Sequence, residues 1–438
     1  MLLGREAELT YLQQLYEKQG SQLLVVYGQK NIGKTSLLLE FVKNKPYRYD
    51  LAKHDSDLEQ KNLWNFSIEE GIEGTEEKTV LILDEFHILA KSSDDFVRAV
   101  SAFISNFQNK NVLVILASSS IAWVENSMIR RMRSIALRIS AFYKIKELSF
   151  PDIKKMFPTY SRKECLTLFS ILGGNPGLLT QLDKESSLTE NIRNIICEKN
   201  SSIWFFGAYC ILSELRETAV YNTLLSALAK GKSKLNDLYL ETGFSRAKIS
   251  VYLKNLMELE LVEKVFSLDT EGRSNAQKGI YRIQNPFAHF WYFFIFPNLE
   301  KQELLSKEEF YAECIEKNLD SYVAFYFKDF CMAYMNQQNS DDLLPYKFTR
   351  SSEWVGKVGT IDGIMEDDEN HVMVSFCKYE NVLTTYEDYE WNLFCLEKAK
   401  LKPEYIYLFT AKGFEESVEL EAKTKKNLIL IHLNQMFL

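Results

Sequence analysis

No two cysteines stand in a CxxC spacing, no apolar run reaches the length of a membrane span, and positive charge is not in excess. The seven cysteines are scattered, which argues against a zinc ribbon and a disulfide framework. Their odd number fits a reducing cytoplasm, the location expected for this chain. A spanning helix needs about 18–20 apolar residues. The richest stretch, Phe287 to Pro297, is shorter and contains His289, so it reads as a buried segment between domains and no membrane contact is expected. The N-terminus reaches charge at Arg5 and has no signal-peptide core. A formal net charge of −8 excludes a protein that coats nucleic acid with its whole surface, so any such contact has to come from a local basic patch.

What is present is the composition of an ordinary globular protein, 46% hydrophobic and 26% charged over 438 residues, enough for two to four domains. Residues 28–35 read Gly-Gln-Lys-Asn-Ile-Gly-Lys-Thr and fill every fixed position of the phosphate-loop pattern GxxxxGK[ST]. The loop follows the apolar run Leu23 to Tyr27 and opens a helix that begins Ser36-Leu37-Leu38. In that context Gly28, Gln29, Lys30, Asn31, Ile32, Gly33, Lys34, Thr35 and Ser36 are candidate nucleotide ligands. The glycines let backbone N–H groups face phosphate oxygens, and the helix N-terminus adds positive charge. Lys34 is expected on the β- and γ-phosphates and the Thr35 hydroxyl on Mg²⁺.

Over roughly the first 150 residues apolar runs alternate with amphipathic ones, which predicts a parallel α/β sheet. Strands are expected near 22–27, 47–51, 79–84, 112–117 and 144–148. The third ends in Asp84-Glu85, about 50 residues after the phosphate loop. There Asp84 is expected to hold Mg²⁺ through water and Glu85 to orient and deprotonate the attacking water. The fourth strand ends in Ser118-Ser119-Ser120. Ser119 is a candidate contact to the γ-phosphate or the water, and a plain serine turn is the other reading. Among Arg130, Arg131, Arg133 and Arg138, one is a candidate arginine finger, Arg138 first among them, and the rest read as a solvated helix face.

From Pro151 the pattern turns helical, with Gly173-Gly174-Asn175-Pro176-Gly177 as a tight turn between helices, read first as a helix cap with a Pro stop and alternatively as a turn beside the nucleotide. Residues 219–283 read as three helices followed by two strands, with Ser245 capping the third helix, which is a winged helix. Between 230 and 282 ten basic residues face seven acids, a local net of +3. Arg246, Lys248 and Lys254 on the third helix are candidate contacts to double-stranded DNA, with protein packing as the alternative.

Taken in order, Gly4-Arg5-Glu6, the phosphate loop, Leu83-Asp84-Glu85-Phe86, the serine tip, Gly173 to Pro176, the winged helix and Asn285-Pro286-Phe287 to Tyr292 resemble the archaeal-type and bacterial ATPases of the STAND branch of P-loop NTPases. The resemblance implies ATP and Mg²⁺ as cofactors, a regulatory ATPase, an unknown protein partner and a nucleotide-dependent oligomer. It implies that Arg5 lies against adenine and ribose, with surface exposure as the alternative. It implies an α/β fold with a parallel-sheet P-loop NTPase core (1–150), a helical lid (151–205), a winged helix (206–300) and a C-terminal α/β restriction-endonuclease-like domain (301–438). That last fold, similar to PD-(D/E)xK nucleases, calls for an acid and then an acid-x-Lys pair. Asp362 and Lys378 match, but Phe376 stands at the second acid and Lys328 where an upstream helix often carries glutamate. A phenylalanine offers a hard cation no oxygen, so cleavage is not expected. Glu366 to Glu369 reads as a hairpin loop.

Overall fold

The apolar runs of β1 (Gln22–Tyr27), β3 (Thr79–Asp84) and β4 (Val112–Ser118) are buried almost end to end, as central strands of a parallel sheet must be. The computed structural model describes residues 2–53, 77–106, 111–213, 215–266 and 279–437. With β2 (Tyr47–Leu51) and β5 (Ala141–Lys144) these strands form one five-stranded sheet in the order β2-β3-β4-β1-β5, every pair parallel. The two edge strands are the half-exposed ones. Apolar clusters pack both faces of the sheet, one built on Leu23, Val25 and Leu116, the other on Leu24, Val26 and Ile115.

The fifth strand ends at Lys144, earlier than the pattern predicts. Ile145 N–H still bonds Tyr27 O at 2.7 Å, and the chain then leaves the sheet, with Leu148 N–H on Gly174 O at 2.8 Å. Ile145 and Leu148 remain buried, which is why their apolarity resembles a longer strand.

The chain divides into two compact units, Met1–Met156 with Gly174–Gln181, and Phe157–Gly173 with Leu182–Leu438. In the second unit the helices Thr218–Ala229, Leu235–Thr242 and Arg246–Glu258 precede the antiparallel hairpin of β6 (Val262–Val265) and β7 (Ile280–Ile283). This is a winged helix. Its first helix begins at Thr218 rather than near Thr223. Ser245 caps the third as expected, its hydroxyl accepting Lys248 N–H. The wing expected at 270–274 lies outside the described residues.

The aromatic run forms the helix Pro286–Phe290 and a π-turn Trp291–Ile295 in the second unit, buried except at Phe293. The Tyr322 hydroxyl, on the helix Lys317–Ser340, lies 3.0 Å from Ser170 O and 3.1 Å from Pro286 O. A second sheet follows: β8 (Arg350–Val355), β9 (Thr360–Glu366), β10 (Val372–Lys378), β11 (Tyr405–Thr410) and β12 (Leu428–His432), in the order β12-β11-β10-β9-β8. The β8–β9 and β9–β10 pairs are antiparallel and the others parallel. Residues 367–371 turn between β9 and β10, as the acidic run predicted. No helix among the described residues is long and apolar enough to cross a membrane.

Candidate nucleotide site

Parallel pairing brings the ends of β1, β3 and β4 to one edge of the first sheet. Tyr27 lies beside Ser118, and Gly28 N–H bonds Ser118 O at 3.2 Å. Open α/β sheets bind ligands at this carboxyl edge. The two loop glycines are needed for different reasons. Gly33 sits at φ 89°, and a Cβ on Gly28 would stand 2.7 Å from Ile145 O. Asn31, at φ 62°, is a second left-handed residue in the loop. Such alternation curls successive N–H groups into a concave anion site. The helix Lys34–Phe41 starts at Gly33, adding its N-terminal partial charge, with Ser36 in the first turn.

Lys34 is 5% exposed, and its ammonium donates to Gly28 O at 2.9 Å and Gln29 O at 2.8 Å. Thr35 Oγ1 donates to Asp84 Oδ2 at 2.6 Å. Thus the loop, the helix start and the β3 tip form one cluster. The Tyr49 hydroxyl, on β2, donates to the same Asp84 oxygen at 3.0 Å. Burial first, then the neighbouring Asp84 carboxylate, pushes the Tyr49 phenol up, so it stays a protonated donor. Glu85 lies at φ 53°. Its Oε2 accepts Ser119 N–H at 3.1 Å and Ser119 Oγ–H at 2.7 Å, and it faces His87 Nδ1 at 3.2 Å. All three tip serines are buried, and Ser119 is bonded to Glu85.

The outer carbonyls of the phosphate loop are bonded from distant parts of the chain. Arg5 NH2 donates to Ile32 O at 2.9 Å, while NH1 donates to Lys146 O at 2.9 Å and Glu8 Oε1 at 2.8 Å. At 4% exposure Arg5 is not a surface residue. Its hydrogen bonds go to backbone carbonyls and Glu8, which makes it a brace under the loop. Gly177 N–H donates to Asn31 O at 3.0 Å, and Asn175 Nδ2 to Lys30 O at 3.4 Å. The Gly-Gly-Asn-Pro-Gly turn therefore lies against the phosphate loop. It is a tight structural turn as well: a Cβ on Gly174 would stand 2.0 Å from Leu148 O.

Arg138 is not brought to this cluster. It ends the short helix Arg133–Arg138, and Ser140 N–H bonds Leu23 O, at the start of β1. The length of β1, roughly 16 Å, separates that end of the strand from the loop. Arg131 binds Ala90 O at 2.6 Å and Asp94 at 2.5 Å, and Arg130 binds Asn126 O at 3.0 Å. Sequence reasoning missed Tyr49 and His87. For His87 a signal existed, a histidine two residues after Glu85. For Tyr49 there was none.

In the winged helix Arg246 stacks on Tyr239 at 4.2 Å and donates to Asn236 at 2.5 Å. Lys248 lies over Phe244 at 4.8 Å, and Lys254 is 3.9 Å from Glu258. All three bases are exposed, alongside Val251 at 58% and Leu240 at 71%. In the second sheet Asp362 Oδ2 accepts Cys377 N–H at 2.8 Å, and burial, the largest influence, pushes its carboxyl up. Phe376 is in the core. Lys328 pairs with Glu353 at 2.5 Å and also acts on Asp362, so an ammonium serves both acids. Lys378 pairs with Asp388 at 2.6 Å. A cleft of ≈ 320 Å³ is lined by Asp362, Phe376, Lys378 and Trp391 among others.

Three family models match parts of the chain. Residues 2–67 match an ATPase domain predominantly from Archaea, residues 222–264 a bacterial regulatory protein of the arsR family, and residues 291–390 archaeal and bacterial proteins of unknown function. An uncharacterized protein of Methanocaldococcus jannaschii is 27% identical over 386 residues, 84% of this chain and 85% of that one. The Walker-type ATPase paby2304 of Pyrococcus abyssi superposes with a TM-score of 0.46 at 18% identity, covering 66% of this chain and 96% of that one. The ORC2 protein of Aeropyrum pernix, in its ADPNP-ADP complexes, superposes with a TM-score of 0.43 at 13% identity, covering 69% and 95%. The first of these family matches covers the phosphate loop and the second covers the three helices with most of the first hairpin strand, and they agree with the geometry on one statement: the chain joins a P-loop ATPase domain to a winged helix.

Proposed function

We propose that the chain is a regulatory ATPase of STAND type, in which ATP bound at residues 28–36 switches the winged helix and the C-terminal domain between partners. The observation that carries this reading is the 2.6 Å bond from Thr35 to Asp84, with Glu85 next in the chain. A hydroxyl and a carboxylate side by side are the oxygen donors a hard divalent cation takes, so Thr35 and Asp84 fit Mg²⁺. Bound there, Mg²⁺ supplies charge neutralisation at the phosphoryl oxygens. Lys34 exchanges the Gly28 and Gln29 carbonyls for phosphate oxygens. Glu85 accepts the proton of the water whose oxygen attacks the γ-phosphorus as the bond to the leaving oxygen breaks. Arg5, Asn175 and Gly177 hold the loop in shape for these contacts.

The lid (151–205), winged helix (206–300) and C-terminal domain (301–438) are proposed as the responding parts. Arg246, Lys248 and Lys254 are the proposed contacts to double-stranded DNA. The exposed Val251 and Leu240 on the same module favour a second reading, in which a protein takes that face. Arg138 is left a finger role only toward the nucleotide of a second copy. The C-terminal domain is proposed as a degenerate nuclease-like binding module, because Lys328 supplies the positive charge beside Glu353 and Asp362 that a metal would otherwise bring.

Steady-state ATP hydrolysis and binding of a fluorescent ATP analogue test the switch. Glu85→Gln is expected to bind normally and to lose roughly 10²–10⁴-fold in turnover, while Lys34→Ala loses binding. Turnover by Glu85→Gln at the wild-type rate sinks the assignment. For DNA, alanine at Arg246, Lys248 and Lys254 together is expected to weaken duplex binding and flatten its dependence on salt. The logarithmic slope should fall by about 0.9 for each phosphate no longer neutralised. Absence of binding by the wild type selects the protein reading.

A further inference from the structure

Glu85 holds a left-handed backbone that costs a residue with a Cβ about 1–3 kcal/mol, a strain that tends to cluster at functional sites. Phe86 N–H bonds Ala117 O at 3.1 Å, so the chain stays beside β4 through this turn, and the carboxylate crosses from β3 to the β4 tip. There Oε2 receives both Ser119 donors and meets His87 Nδ1 at 3.2 Å. Nδ1 is also 3.1 Å from Ser118 Oγ, an oxygen that accepts Ser120 N–H at 3.1 Å. His87 is 8% exposed and stands beside the Trp123 ring at 6.3 Å. A carboxylate oxygen only accepts. An unprotonated Nδ1 would turn a lone pair toward that oxygen, whereas Nδ1–H, hydrogen-bonded to the second lone pair of Ser118 Oγ, sets a positive hydrogen beside it.

We propose that His87 is a positioning residue for Glu85: its Nδ1–H joins Ser119 in fixing Oε2, so that Oε1 is the atom aimed at the attacking water. The role of Oε1 rests on the proposed hydrolysis of ATP, but the placement of the proton on Nδ1 does not. His87 touches no reacting atom. It acts through the orientation of the carboxylate, and a misplaced catalytic group loses roughly 10–100-fold in rate.

Two measurements decide it. The first is ¹⁵N NMR of histidine-labelled, nucleotide-free protein. With five histidines in the chain, the His87 signals are assigned by their loss in His87→Asn. Nδ1 is expected to be protonated, and an unprotonated Nδ1 overturns the proposal. The second is a kinetic split. His87→Leu is expected to lose roughly 10–100-fold in kcat with KM for ATP and analogue affinity unchanged. His87→Asn, whose Nδ2–H stands where Nδ1–H stood, is expected to recover most of that loss. A His87→Leu enzyme at wild-type kcat, a loss shared with KM, or an Asn variant no better than Leu each refute it. If the leucine variant does not fold, Asn against wild type still decides: a kcat as low as a missing donor predicts refutes the role. If the wild type turns over no ATP, the hydrolysis reading fails and the NMR result still stands for or against the Nδ1 proton.

Discussion

Removing Arg5 tests whether the phosphate loop depends on a brace from the N-terminal helix. In Arg5→Ala the guanidinium disappears from beneath Ile32 O and Lys146 O, each 2.9 Å from it. The site is buried, with Arg5 4% exposed. A buried acceptor stripped of its donor costs about 1–3 kcal/mol, so two carbonyls imply roughly 2–6 kcal/mol. For a unit of this size each 1 kcal/mol lowers Tm by about 2–4 °C. At the middle of that range, about 4 kcal/mol, a fall of roughly 8–16 °C is therefore the central expectation. The surviving fold has a looser loop, because Ile32 lies inside the Gly28–Thr35 motif. If reshaping that loop takes about 1.4 kcal/mol of the binding energy, nucleotide affinity drops tenfold. Arg5→Lys keeps the charge but not the fork that spans two carbonyls, and it should fall between alanine and wild type. Differential scanning fluorimetry and titration with a fluorescent ATP analogue read the two effects. An alanine variant within about 1 °C of wild type and with unchanged affinity would falsify the brace. A contact from Arg5 to adenine would instead lower affinity without touching the Tm of the nucleotide-free protein.

Two further expectations concern the second unit. Burial drives the His289 imidazole down to about 4, with Nδ1 2.8 Å from the Tyr326 hydroxyl. The unfolded chain, titrating near 6.5, takes up a proton that the folded one refuses. This stability is whole above about pH 6.5 and is lost as pH falls toward 4, roughly 2 kcal/mol by pH 5. Urea midpoints against pH should show this slope flattened in His289→Phe, and parallel curves would contradict it. The C-terminal domain, with Phe376 in its core and Lys328 paired to Glu353, should cut neither linear, supercoiled nor single-stranded DNA with Mg²⁺ or Mn²⁺, with or without ATP. Cutting that stops in Asp362→Ala would overturn this and raise a DNA-cleaving defence or recombination role to first place.

Residues that act with their own chain neighbours were legible in the sequence. The Gly28–Thr35 pattern needs only a strand before it and a helix after it, and both form as expected. Asp84 closes a strand of six buried residues, and Glu85 follows it. Ser245 caps its helix through a backbone N–H three residues on. In each case the periodicity or the cap states the local conformation. The fifth strand misled because buried apolar residues after a strand look like more strand.

What tertiary structure alone decided is which distant residues meet. Tyr49 reaches Asp84 across 35 residues because β2 pairs with β3, and Asn175 reaches Lys30 across 145 because the turn at 174–177 lies against the phosphate loop. Arg5 reaches Lys146 across 141 residues in the same way. His87 meets Glu85 close in sequence, yet Ser119 completes that cluster only because β3 lies beside β4. The phosphate loop, the acidic strand tip and the capped helices were thus readable from local residues, whose hydrogen bonds close within a few positions. Strand order decided the donors around Asp84 and Glu85, since a side-chain hydrogen bond forms only where two elements are brought within about 3 Å, and no local pattern encodes that meeting.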